Sequence, residues 1–147
     1  VSESNQVPPA IDIVDETFLA VPPSTVAAVF AAPGSWTHYW PDLVLRVYTD
    51  RGDRGLRWTV RGALTGTMEI WLEEVLDGTL LHYFLRATPV DPLGNPLRLR
   101  PAQLRREADR RARAAKAIAL GLKLQLEDGR APGVAPVVEN LPPPFVK

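Results

Sequence analysis

The longest regular pattern in the chain lies near its C-terminus, from Pro101 to about Asp128. There Leu104, Ala108, Ala115, Ile118, Ala119, Leu122 and Leu126 recur at steps of three and four residues. That spacing predicts one apolar face of an α-helix. Pro101 suits a first turn, where its missing N–H would be unpaired in any case. Gly129 is a natural stop, since glycine takes the left-handed conformation after a last turn. A helix of about 27 residues spans roughly 40 Å, and an apolar stripe of that length calls for a sheet to lie on.

The preceding sequence supplies the sheet. Ile11 to Ala20 has the β-branched and aromatic content of a strand. Val21-Pro22-Pro23 ends it, and Ser24 to Ala31 predicts a short helix burying Val26, Val29 and Phe30. Ser24 and Ser35 read as helix-start residues, and Ser35 to Tyr39 as one more helical turn. From Leu43 the period changes to two. Leu43–Tyr48, Leu56–Arg61, Thr67–Glu73 and Leu80–Ala87 predict strands. Gly62 and Gly66 allow a bend or bulge between them, and Asp77-Gly78 signals a hairpin. For the last strand, Leu81, Tyr83, Leu85 and Ala87 are taken as the inner set, because this leaves His82 and Arg86 outside. The count is five or six strands. Residues 1–10 form a loose lead-in, residues 11–129 one domain, and residues 130–147 a proline-rich tail without periodicity. Strands followed by one long helix give an α+β fold, with an antiparallel sheet curved about that helix and two short helices after the first strand. A gap between sheet and helix is then the natural ligand site.

Composition narrows the function classes. The 17 basic and 17 acidic residues cancel, so nothing global points to nucleic acid or an anionic membrane. The chain has no cysteine, which excludes disulfides and thiolate metal sites. No basic start followed by an apolar core opens the chain, and no run approaches the 18 or so apolar residues of a membrane span. A soluble cytoplasmic protein, without membrane insertion, is the expectation.

Several local phrases resemble the START-like superfamily, also called SRPBCC or helix-grip proteins, and more narrowly its bacterial polyketide cyclase/dehydrase and lipid-transport family. Leu19-Ala20-Val21-Pro22-Pro23-Ser24-Thr25-Val26 is similar to the family's apolar–Pro–x–x–x–Val entry into the first helix. Pro33 to Asp42 contains its Trp-x-x-x-Trp-Pro segment, here Trp36, Trp40 and Pro41. Gly78-Thr79 before the last strand and the Arg-rich final helix complete the likeness, which covers about residues 11–128. The family usually has seven strands, more than this chain offers, and the tail after Gly129 lies outside its pattern. The resemblance implies a cavity between sheet and long helix, closed at one end by the short helices. It implies binding of apolar or amphipathic small molecules, with ring closure or dehydration in a minority of members. No catalytic motif transfers by position, so no catalytic residue is carried over, and no cofactor is implied.

The candidate chemistry is sparse. His38 and His82 are far apart and lack a ligand-spaced partner, so no metal site is expected. The glycines fall between strands, not before a helix, and no serine sits in a Gly-x-Ser-x-Gly setting. Trp36, Tyr39, Trp40 and Trp58 have two readings, plain core packing or the wall of a cavity for a flat apolar ligand. Met68 serves either reading. His38 is an acid/base candidate at a cavity mouth, set against an ordinary surface histidine. Tyr83, pointing inward, orients a ligand or ties the fold together. Asp15 and Glu16 interrupt the first strand, so one faces inward and needs a partner. Arg111, in line with the stripe that includes Ala115 and Ile118, is the partner to consider. It either snorkels outward along its stem or points at the cavity. Arg98 to Lys116 holds eight basic residues, but no aromatic interleaves them as a nucleic-acid stacking platform requires. Trp71 and Phe84, on the outer faces of neighbouring strands, suggest a homodimer or partner surface, or coverage by the proline-rich tail.

Three functions follow from the sequence. The leading one is binding or transport of a small hydrophobic or amphipathic ligand in an internal cavity. The second is a polyketide-type cyclase or dehydratase, which needs an inward acid/base beside a polarising group. The third is a structural or interaction module with a filled core. An interior of less than roughly 100 Å³ favours the third, because ligand pockets run to several hundred.

Overall fold

The computed structural model describes residues 8–127. The chain runs β1 (Ile11–Leu19), α1 (Pro23–Ala31), α2 (Pro33–Tyr39), β2 (Leu43–Asp50), a 3-10 turn (Gly52–Arg54), β3 (Gly55–Gly62), β4 (Leu64–Val75), β5 (Gly78–Pro89) and α3 (Pro101–Leu126). The strands form one antiparallel sheet in the order β1-β5-β4-β3-β2. A curved five-stranded sheet, two short helices after the first strand and one long final helix make the α+β helix-grip fold that the patterning predicts. Nearly all of the lead-in and the whole proline-rich tail lie outside the described residues.

The strand count settles at the lower of the two expected values, and the strands are longer than their alternating segments. β4 and β5 each run 12 residues and pair along their full length from Leu64↔Pro89 to Val75↔Gly78. The buried row is the one period two predicts: Trp58 and Val60 on β3, Met68 and Ile70 on β4, and Leu81, Tyr83, Leu85 and Ala87 on β5.

Two local expectations hold on a different physical basis. Ser24 and Ser35 stand in the first turns of α1 and α2 but cap neither; all three described helices begin with proline at N1 or N2, and no side chain caps α1 or α2. Proline's fixed φ starts a helix without a cap, and its lack of an N–H removes one orphan donor. The β4–β5 hairpin forms where Asp77-Gly78 signals it, but the left-handed residue is Leu76, at φ 55°. Gly78 is needed for another reason. A Cβ there would collide with the Leu19 carbonyl and the Phe18 ring.

α3 lies along β1 and runs in the same direction. Lys116 Nζ reaches Asp15 Oδ1 at 3.0 Å, and Lys123 Nζ donates to the Phe18 carbonyl at 3.0 Å. At the far end the Ala20 N–H donates to Glu127 Oε2 at 2.6 Å. The helix buries Ala115, Ala119, Leu122 and Leu126, and small residues at 115 and 119 let its backbone approach the sheet closely. No described helix is long and apolar enough to cross a membrane.

Candidate functional site

The junction of α3 with the concave face of the sheet is where a ligand would enter such a fold. Trp40, at the end of α2, is 4% exposed and stacks on Tyr83 of β5, centroids 6.4 Å apart and planes 9° apart. Phe30, from the last turn of α1, also stacks with Trp40, centroids 6.3 Å apart and planes 27° apart. Trp58 of β3 meets Trp40 edge-on at 5.9 Å and Trp36 at 5.6 Å. These rings fill the space that the curved sheet encloses. Between them and Ala115, Ile118 and Ala119 of α3 remains a void of about 10 Å³. That is room for roughly one water molecule.

The void has little polar equipment. The Tyr83 hydroxyl points at Met68 Sδ, 3.3 Å away, a weak acceptor. Burial pushes the Tyr83 pKa up, so the phenol stays protonated. The indole N–H of Trp58 is buried without a hydrogen-bond partner. Asp15 stands at the rim and is paired with Lys116. Arg111 was the partner considered for that acid, but the chain crossing brings Lys116 there instead.

Arg111 is 6% exposed and is not among the residues that line the void. Its guanidinium grips Asp42 bidentately, Nη1–Oδ1 3.1 Å and Nη2–Oδ2 2.6 Å, and its Nε donates to Glu107 at 3.0 Å. The hydrogen bonds from Arg111 hold the Asp42 carboxyl below its ordinary range. Burial works to lower the pKa of Arg111, but its bonds to Asp42 and Glu107 outweigh that and raise it. The result is a clamp from α3 to the α2–β2 junction. His38 is exposed on α2, with its ring edge-on to Tyr39 at 5.5 Å.

Of the eight residues singled out from sequence, Trp40, Tyr83, Ala115 and Ile118 therefore line the void. Met68 and Trp58 pack directly against that set, whereas Arg111 and His38 do not belong to it. Sequence reading missed the parts played by Phe30, Ile70, Leu81 and Ala119 at the void. Their inward positions were legible from periodicity, but nothing in a periodic pattern distinguishes a void-lining residue from its neighbours. No group of His, Cys, Asp and Glu among the described residues is arranged to hold a metal ion.

Two features lie outside the junction. A hollow of about 280 Å³ opens under α1 beside the β2–β3 turn, and Phe30 and Ile70 wall both it and the inner void. On the outer face of the sheet, His82 is 6% exposed although it points away from the core. Its ring stacks on Trp71 at 4.2 Å and lies between Glu16, 3.0 Å from Nδ1, and Glu73, 2.9 Å from Nε2. The outward placement follows the predicted alternation. The burial comes from cross-strand neighbours that cover the ring.

No family model matches the chain, and no curated protein sequence does. Solved structures do. A dimeric Aha1 from Colwellia psychrerythraea superposes with a TM-score of 0.54 at 12% identity, covering 82% of this chain and 99% of that one. CalU16 from Micromonospora echinospora gives 0.52 at 16% identity, covering 79% of this chain and 77% of that one. At such identities the likeness speaks for the fold alone, and the fold it shows is the α+β helix-grip fold.

Proposed function

We infer that this domain works as an interaction module, through its surface, around a filled interior. The observation that carries this reading is the void of about 10 Å³ where α3 meets the sheet. Small-molecule sites run to several hundred Å³, and this one takes no organic ligand in the observed arrangement. The outer sheet face around Trp71 and Phe84 is the partner surface this reading favours, since both aromatic side chains stay partly exposed there. The Aha1 neighbour is described as a dimer, which makes a second copy one partner to try. A cyclase or dehydratase has the least support. The void offers a protonated phenol and an ion-paired carboxylate, not a free acid/base beside a polarising group.

A carrier of a small apolar ligand is the second reading, and one arrangement favours it. Phe30 and Ile70 are all that the inner void and the 280 Å³ hollow have in common, so a swing of the Phe30 ring joins them. The joined space would present the unpaired Trp58 N–H and the weakly bonded Tyr83 hydroxyl nearby to a polar end of the ligand. Native mass spectrometry of protein purified from its own host, with titration by a fluorescent fatty-acid analogue, separates the two. The filled-core reading expects no bound mass and no saturable uptake, either for the natural protein or for Phe30→Ala. A stoichiometric co-purifying molecule, or uptake that Phe30→Ala strengthens, overturns it in favour of the carrier.

A further inference from the structure

The connector between β5 and α3 closes on itself as a small hairpin. Val90 and Pro96 form an antiparallel bridge, the Asp91 N–H donates to the Asn95 carbonyl at 2.8 Å, and the Leu97 N–H donates to the Pro89 carbonyl at 3.0 Å. Asp91 also fixes the tip, where its Oδ1 accepts the N–H groups of Leu93 and Asn95, both at 2.9 Å. Gly94 closes the turn at φ 89°, a conformation that favours glycine. On this fixed tip Leu93 is 86% exposed, and Leu97 at its base is 45% exposed. The turn thus holds an apolar side chain out in water, where it gains nothing.

The same end of the sheet is basic. Arg61, near the end of β3, walls a hollow of about 620 Å³ together with Leu93. Arg98 and Arg100 follow the hairpin, and Arg105, Arg106 and Arg113 project from the first half of α3. All six are exposed, and none has an ion-pair partner among the described residues. The acids at this end are mostly engaged. Asp42 and Glu107 pair with Arg110 and Arg111, Asp12 pairs with Arg86, and Asp91 is bonded to the hairpin backbone. Asp109 is exposed without a partner among the described residues, so positive charge is in excess. The opposite end exposes Asp50, Asp53, Glu74 and Asp77 against one exposed cation, Arg54. β4 and β5, 12 residues each, hold the two ends roughly 40 Å apart, several screening lengths at physiological salt.

We propose that the basic end is an oriented docking surface for an anionic lipid bilayer, with Leu93 entering the headgroup–acyl boundary and the arginines pairing with lipid phosphates and carboxylates. A nucleic-acid duplex satisfies the arginines but leaves Leu93 and Leu97 in water, whereas a bilayer interface takes apolar and cationic side chains together. The acidic turns then point away from the membrane, beyond the reach of its field. The contact is interfacial and crosses nothing. It lies apart from the outer sheet face around Trp71 and Phe84 and does not depend on the state of the interior.

The test uses the full chain. It has no cysteine, so Leu93→Cys carries a polarity-sensitive fluorophore at one site. Leu76→Cys carries it at the far end, where Leu76 is 91% exposed. Each is mixed with vesicles of phosphatidylcholine containing about one-third phosphatidylserine, and with vesicles of phosphatidylcholine alone. The emission at position 93 should shift to shorter wavelength with the mixed vesicles only, and the emission at position 76 should stay unmoved. For the unlabelled chain, sedimentation with mixed vesicles should show affinity falling about fivefold to tenfold in Leu93→Ala and at least about thirtyfold when Arg105→Glu and Arg106→Glu are combined. These side chains are exposed, and unchanged circular dichroism confirms that the variants fold. Absence of binding to the mixed vesicles overturns the proposal. So does equal binding to both kinds of vesicle, or a shift at position 76. Unchanged affinity in Leu93→Ala overturns it by reducing the contact to charge alone. Tighter binding to a DNA duplex than to the vesicles at the same salt assigns the arginines to nucleic acid instead. None of these results bears on the filled interior, which is read from bound mass and probe uptake.

Discussion

At the scale of single residues, the clearest expectations come from side chains whose partners are now known. Arg111 is buried while Asp42 is 43% exposed, so solvent recovers part of what a broken clamp loses. Arg111→Met should still cost about 2 kcal/mol at neutral pH, the range of hydrogen bonds to charged groups, measured by urea unfolding. The acid dependence has a definite sign. Asp42 is depressed in the folded state, so its contribution is fully present above the ordinary carboxylate pKa of about 4. It is lost as pH falls through the lower folded value. Arg111→Met should remove that part of the acid destabilisation, seen as a shallower fall in stability below about pH 4. Tyr83 gives a second prediction. Its hydroxyl donates only to a thioether at 3.3 Å but also accepts from the buried Trp40 indole, so Tyr83→Phe, which leaves that N–H without its partner, should cost about 1–3 kcal/mol. Leu76 sits at φ 55° with its side chain 91% exposed. A branched side chain there costs about 1–2 kcal/mol in backbone strain. Leu76→Asn, which tolerates that conformation, should therefore raise the melting temperature by roughly 2–4 °C. An unchanged or lower melting temperature would count against strain at the turn.

At the scale of elements, α3 is the most informative, and it shows what periodicity can and cannot reveal. Steps of three and four fixed its existence, its start at Pro101 and its buried face, because a helix needs one apolar stripe and the sequence offers only one. They left Arg111 with two readings, and neither described it fully. The side chain is buried, but the acid it meets is Asp42, sixty-nine positions away, and no local pattern records a pairing of that range. The same limit hid the partner of Asp15. Strand alternation was equally legible, whereas the outward His82 became buried through Glu16, Trp71 and Glu73 on adjacent strands, a matter of register. The closeness of α3 to the sheet was also unreadable, although Ala115 and Ala119 are the residues that permit it. Ala119 is 3% exposed against a void of about 10 Å³. Ala119→Leu should therefore overpack the junction and destabilise the fold by about 1–3 kcal/mol. A neutral or stabilising outcome in thermal unfolding would reveal hidden space and speak for the carrier.

At the scale of the whole molecule, the question a sequence could pose but not answer was whether the sheet encloses a cavity. That volume depends on how far five strands curve and how the rings of Phe30, Trp40, Trp58 and Tyr83, from four elements, stack inside them, and composition is silent on both. Composition was also silent on where the cancelling charges lie. Arg105, Arg106, Arg110 and Arg113 project from the first half of α3, at the end of the sheet where Arg111 meets Asp42. Asp50, Asp53, Glu74 and Asp77 are exposed at the opposite end, at or beside the β2–β3 and β4–β5 turns, against one exposed cation there, Arg54. The described part of this neutral chain, with a sequence pI near 6.9, is therefore electrically polar. Near neutral pH no net repulsion keeps copies apart, and the basic end of one copy attracts the acidic end of the next. At about 10 mM salt, where the screening length is roughly 30 Å, light scattering should give a negative second virial coefficient. At about 0.3 M salt screening confines the field to a few ångströms, and the coefficient should turn positive. Reversing Arg105 and Arg106 to glutamate should abolish the salt dependence without loss of folding, since both side chains are exposed. If attraction persists at high salt it is apolar in origin, and the outer face around Trp71 and Phe84 becomes its source.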